Sequence, residues 1–173
     1  MATSNPELAQ LFLDFSRQKL FGQEWPRIKE CVAPLTPEQI WWRPNEASNS
    51  IGNLLLHLEG NVRQWLVASF SRAEDSRNRP AEFAAKEGAT AAELLHKLGA
   101  ALDEAAALLD RLTAEELLAV YPIRGNHVRG LDALYTVVEH FGLHYGQILY
   151  IVKLLSAKDL GFYKELNMTG RAR

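Results

Sequence analysis

The sequence predicts an all-α chain, one domain built as a four-helix bundle. Three observations carry this: four stretches place apolar residues at helical spacing, helix-start signatures precede them, and the intervening segments are polar and rich in turn formers. The first helix is expected over about 6–32. Ser4-Asn5-Pro6-Glu7 offers a capping residue ahead of a proline, and Leu8, Leu11, Phe12 and Phe15 follow at helical spacing. Pro26 should kink or split this helix, because proline removes a donor and clashes with the preceding turn. The second helix, about 50–70, opens at Ser48-Asn49-Ser50 and carries the stripe Ile51, Leu54, Leu55, Leu58, Val62, Trp65 and Leu66.

Residues 71–89 read as a connection crossing the surface, since they are rich in Arg, Asp, Asn and Gly and contain Pro80. A capping box at Thr90-Ala-Ala-Glu93 starts the third helix, about 90–111, with Leu94, Leu95, Leu98, Leu102, Leu108 and Leu109. Residues 113–130 begin with a helical turn at Thr113 and then hold Pro122, Gly125, Asn126 and Gly130, which reads as a loop with little regular structure. The fourth helix occupies about 131–156, and Thr169-Gly-Arg-Ala-Arg173 is expected to fray. Leu35-Thr-Pro-Glu-Gln-Ile before the second helix echoes Leu112-Thr-Ala-Glu-Glu-Leu before the fourth. Laying His57 over His140 also sets Asn61 over His144 and Gln64 over Gln147, as two facing helical hairpins would.

At 173 residues and 47% apolar content the chain can bury a real core without disulfides or a structural metal, so a metal here would serve function first. The formal net charge of -2 provides no basic field, so no nucleic-acid partner is expected. The N-terminus lacks the regions of a signal peptide, and no apolar run approaches the roughly 18 to 20 residues needed to cross a bilayer. A cytoplasmic protein with no membrane partner is expected. Cys31, the lone cysteine, sits at helical spacing from Ile28 and reads as a packed, inert thiol.

The histidines carry the chemistry. His96 beside Lys97 and His127 in a Gly-Asn loop read as solvated or locally bonded. His140 and His144 are i and i+4 on one helix, which stacks their rings on one face with Val137, Gln147 and Ile151. Buried neutral imidazoles need partners, and for that pair alone local hydrogen bonds are the favoured reading over a metal. His57 shifts the balance, because Asn53, His57, Asn61 and Gln64 share a face of another core-facing helix. Three imidazoles suit a divalent ion and leave a coordination position open. Asn61, Gln64 and Gln147 are the nearest candidates to hold the ligands in place.

Other metal chemistries fit less well. A zincin needs Glu after its first histidine, where this chain has Phe141. A di-iron bundle needs Glu three residues before a histidine, and Leu54, Val137 and Phe141 stand there, so carboxylates are not expected among the ligands. Glu59 and Glu139 fall off the ligand face and read as surface groups. Trp41 and Trp42 read as a wedge between loop and core, and Arg72, Arg77 and Arg79 as solvated charge that could alternatively meet an anionic substrate.

Trp41-Trp42-Arg43-Pro44, then Asn49-Ser50-Ile51-Gly52-Asn53-Leu-Leu-Leu-His57-Leu58, and later His140-Phe-Gly-Leu-His144-Tyr-Gly-Gln-Ile148, resemble the DinB-like superfamily, closest to a branch of domains of unknown function. The resemblance spans nearly the whole chain. It implies a DinB-like four-helix bundle in which His57, His140 and His144 bind one divalent ion, zinc or nickel. It also implies, by relation to mycothiol- and bacillithiol-dependent transferases, a small-molecule substrate such as a low-molecular-weight thiol. The expected function is a metal-dependent enzyme; the alternative is a non-catalytic metal-binding or stress-associated helical dimer. A homodimer is expected because the fourth helix carries Tyr135, Leu143, Leu149 and Tyr150 outside its core stripe, unless the segment around Phe162 and Tyr163 covers them.

Overall fold

The computed structural model describes residues 5–162 and Lys164. Its long elements are four helical runs: α1 over 6–32, α3 over 51–71, α5 at Ala91–Leu109 and α7 at Gly130–Ser156. Three short helices join them, α2 at Pro37–Trp41, α4 at Arg79–Ala84 and α6 at Ala114–Leu118, together with a hairpin of β1 at Val120–Ile123 and β2 at Asn126–Arg129. The expected frayed tail at 169–173, like Ser4 and Tyr163, lies outside the described residues.

Pro26 does not break α1. The helix instead widens into a π segment at Gln18–Glu24, where the Trp25 amide donates to the Leu20 carbonyl five residues back. That extra width relieves the clash between a proline ring and the preceding turn. A second π segment, Arg63–Ala68, lies in α3. Its freed Gln64 carbonyl accepts from the Ser69 hydroxyl at 2.6 Å. Asn5 caps α1 by accepting from the Leu8 amide, Ser50 caps α3, and the capping box at Thr90 forms as its sequence predicts.

α3 packs against both α5 and α7, and α1 closes the other side against α7. Leu20, Ile28, Leu58, Leu98, Phe141 and Ile148 are completely buried in the shared core. Cys31 is buried there too, and burial pushes its thiol up to about 11, which leaves it inert at neutral pH. No described helix is long and apolar enough to cross a membrane.

Two sequence expectations need correction. Residues 113–130 are not irregular, because Val120↔Arg129 through Ile123↔Asn126 pair as an antiparallel hairpin. Arg124 and Gly125 make its turn with φ of 53° and 76°, the left-handed pair a two-residue hairpin turn demands. Tyr121 and Ile123 then pack with Ala133, Trp65 and Phe70 in a small second core. Leu149, expected on the outer face of α7, is buried in the main core. The echo before α3 and α7 corresponds to two five-residue helices, α2 and α6, each begun by a capping box, at Thr36 with Gln39 and at Thr113 with Glu116.

The segment at 71–89 is likewise more than a surface crossing. It contains α4, whose C-terminal carbonyls are pinned to α3 and to the loop before it: Arg43 in that loop donates to Phe83 O and Ala85 O, and the Asn53 amide on α3 donates to Glu82 O and Ala85 O, both at 2.8 Å. Arg43 also donates to Asn53 Oδ1 at 2.8 Å. Trp41 wedges in behind, its indole N–H donating to Ala89 O, while Trp42 remains partly exposed. Gly52 makes room for that indole, since a Cβ there would lie 2.7 Å from the Trp41 ring. Gly52→Ala should therefore lower stability by about 1–3 kcal/mol, despite alanine's better helix propensity. Gly22→Ala, which meets only Gln18 Cγ at 3.9 Å, should leave the urea midpoint unchanged or raise it. An unchanged midpoint in Gly52→Ala would show that Trp41 is not held there.

Candidate metal centre

α3 presents His57 and α7 presents His140 and His144 to one point, and ligand nitrogens of all three lie within 4.8 Å of one another. Nε2 of His140 is 2.8 Å from Nε2 of His57 and 3.1 Å from Nε2 of His144. The rings of His140 and His144 stand edge to face at 89°. His57 and His144 are buried and His140 is half-buried. His96 and His127 are exposed and lie apart from the cluster, as their sequence contexts suggest.

The far nitrogens fix the protons. His57 Nδ1 lies 2.8 Å from Glu82 Oε2, and His144 Nδ1 lies 2.7 Å from Gln147 Oε1. Both partners are acceptors, so each Nδ1 carries the hydrogen and each Nε2 keeps its lone pair. Arg77 Nη2 also approaches His57 Nδ1 at 3.0 Å, but with that nitrogen protonated the arginine hydrogens go to Glu82 Oε2 at 2.9 Å and to the His57 carbonyl. Burial works to raise the Glu82 carboxyl, yet hydrogen bonds from Arg77 and His57 together with their charges outweigh it and hold it below the usual carboxylate range. Burial pushes His140 down to about 4, helped by charge at His144, His57, Arg77 and Arg79, and burial lowers His144 as well.

Three imidazoles thus face one another through Nε2. His140 can donate its Nε2 proton to only one neighbour, which leaves a buried lone pair unmatched, a costly arrangement. A single divalent cation satisfies all three nitrogens. Around a tetrahedral ion with metal–nitrogen bonds of about 2.0–2.1 Å, ligand nitrogens sit roughly 3.3 Å apart. The two separations from His140, 2.8 and 3.1 Å, need widen by about half an ångström or less to reach that spacing. The donor set fits a metal.

α4 carries the support. Glu82 orients His57, Phe83 packs against its ring at a centroid distance of 4.7 Å, and Arg79 lies over Phe83 at 4.8 Å. Arg77 grips both oxygens of Glu82, with Nε to Oε1 at 2.7 Å, and donates to Gln64 Oε1 at 3.0 Å. Gly60 permits this approach, because a Cβ there would fall 2.3 Å from Glu82 Oε1.

Arg77 and Glu82 were not legible as site residues. The side chain of Arg77 is only 5% exposed, against the expectation of solvated charge. Glu82 supplies a carboxylate to the outer nitrogen of His57, a contact the sequence did not reveal. A signal existed at Asn78-Arg79-Pro80, whose cap and proline repeat the pattern that begins α1, and Asn78 accepts from the Ala81 amide. Of the expected supporting residues, Gln147 contacts His144, Gln64 reaches Arg77 and Asp75 instead, and Asn61 Oδ1 is buried with no hydrogen-bond partner among the described residues. Glu59 pairs with Arg63 at 2.5 Å, and Glu139 is exposed.

A family profile described as protein of unknown function (DUF1572) matches residues 7–168. The chain belongs to this family. Among solved structures, a conserved protein from Enterococcus faecalis is similar at 20% identity and TM-score 0.66, covering 91% of this chain and 100% of that one. A DinB-like protein from Bacillus cereus is similar at 13% identity and TM-score 0.62, covering 78% of this chain and 87% of its own. These likenesses establish a DinB-like fold for this family member. No curated protein sequence matches it.

If Glu82 sets the proton on His57, Glu82→Ala should weaken divalent-ion affinity about 10–100-fold, measured by competition with a chromophoric chelator. Glu59→Gln should leave that affinity unchanged. Equal affinity in Glu82→Ala and the parent would show that the carboxylate does not orient the ligand.

Proposed function

We propose that this protein is a divalent-metal-dependent enzyme acting on a small molecule, with His57, His140 and His144 as ligands of one zinc or nickel ion. The observation that carries this reading is the convergence of three Nε2 atoms, with the outer nitrogens of His57 and His144 already committed to Glu82 and Gln147. An ion held by three imidazoles supplies Lewis acidity that lowers the pKa of a thiol or water placed at its open position. The chain's own groups set the electronics of that centre. Glu82 and Gln147 keep the ligand tautomers fixed, and Arg77 keeps Glu82 ionised. The sequence resemblance favours a thiol-dependent transferase over a hydrolase, and we take the four long helices as the DinB-like four-helix bundle.

The protein is further proposed to act as a cytoplasmic homodimer. Tyr135, Leu143 and Tyr150 stand 60%, 53% and 65% exposed along α7, and Gly146 beside them has open space for a close neighbour. Phe162, offered above as a cover for this face, packs beside Arg27 instead. The second reading, a non-catalytic metal-binding protein, draws on the burial of His57 and His144 to 3% and 8% exposure. It draws also on a pocket lined by Gly60, Arg77 and Glu82, which meets the supporting residues of His57.

Purified protein should contain about one divalent ion per chain by elemental analysis. His57→Ala, His140→Ala and His144→Ala should each lose most of it, and His96→Ala and His127→Ala should not. Loaded protein screened with low-molecular-weight thiols and electrophilic acceptors should turn over in proportion to occupancy. Equal turnover by stripped protein would refute metal dependence, and full occupancy with silence across the panel would favour the binding-protein reading.

A further inference from the structure

Arg72 ends α3 at φ 55° and Arg124 opens the hairpin turn at φ 53°. Left-handed positions of this kind, a helix C-terminus and the first residue of a two-residue hairpin turn, are most easily filled by glycine or asparagine. Neither arginine is there for its backbone. Both side chains line one cleft of about 460 Å³ between the end of α3 and the hairpin, a volume within the range of small-molecule sites, roughly 300–1,000 Å³.

The lining combines charge with an apolar surface. Arg72, Arg124 and His127 contribute polar lining, and Val120 and Pro122 contribute exposed apolar lining. Neither guanidinium has a carboxylate partner among the described residues. The one acid in the lining, Asp75, has its oxygens turned onto other donors, Oδ2 onto the Gln64 amide at 2.5 Å and Oδ1 onto the Arg77 backbone N–H at 3.1 Å. In a chain of net charge -2, two arginines without carboxylate partners lining one partly apolar cleft are an arrangement that a carboxylate or phosphate completes.

We propose that the cleft between the end of α3 and the hairpin binds a small organic anion, its carboxylate or phosphate held by Arg72 and Arg124 and its apolar body laid on Val120 and Pro122. The site goes beyond the metal reading and stands without it, since none of the three clustered histidines lines the cleft. The two are nevertheless adjacent. Gln64 lines the cleft and accepts from Arg77, which holds Glu82 against His57, so an anion bound here lies against the support of the metal centre.

Isothermal titration of the full chain with phenyl phosphate, benzoate and benzyl alcohol tests the proposal. At least one anion should bind and the neutral alcohol should not; which of the two binds names the head group. Arg72→Gly and Arg124→Asn should each weaken binding about tenfold, the loss of one charge-assisted contact. Because the new residues suit the left-handed backbone, the thermal midpoint should not fall, and lost binding cannot then be laid to unfolding. Arg111→Gln, on an exposed arginine outside the cleft, should bind as the parent does. His144→Ala should also bind undiminished. Absence of binding, equal binding of the alcohol, or undiminished binding in both cleft variants would overturn the site. A loss confined to His144→Ala would place the anion on the metal instead, overturning this inference while leaving the metal reading intact.

Discussion

A buried imidazole has two nitrogens and, when neutral, one proton, and something must decide where that proton sits. Glu82 decides it for His57: the 2.8 Å contact to Nδ1 leaves Nε2 as a bare lone pair facing His140. Much of the structure around α4 follows from keeping this carboxylate in place and ionised. Arg77 neutralises it, Gly60 leaves it space, and Arg43 and Asn53 hold the carbonyls of the helix that carries it. The cost of burying such charges is offset only when every partner is present, which makes the group act as a unit.

The long helices and the three histidines were legible because both signals are periodic. Apolar residues three and four apart define each core face, and His140 with His144 falls on such a face by spacing alone. The residues that orient the ligands were not. Arg77 and Glu82 sit in a polar segment whose composition reads as solvated, and only the fold brings them 20 and 25 positions back to His57. Long-range pairing of this kind leaves no local period. The hairpin at 120–129 was missed for a related reason, since Arg124 occupies a turn position where Asn or Gly would have announced it.

The motif around Trp41 to Asn53 gains a physical meaning in this light. Arg43 and Asn53 make no contact with the histidine nitrogens, yet they fasten α4, and Trp41 anchors the loop at Ala89 beside the space that Gly52 leaves. These residues support the site through the helix that carries Glu82. Not every buried polar group has such a role. Glu24 is pushed up to about 7 by burial, with Lys19 and Arg27 pulling the other way, and its Oε2 has no hydrogen-bond partner among the described residues.

The central claim is that the three converging nitrogens are metal ligands, with the tautomers of His57 and His144 fixed from behind by Glu82 and Gln147. X-ray absorption at the metal edge of zinc-loaded protein tests it most directly. The account predicts a shell containing three imidazole nitrogens at about 2.0–2.1 Å, and no more than two around whatever zinc His57→Ala retains. A shell with fewer imidazoles, or one unchanged by removal of His57, would contradict it.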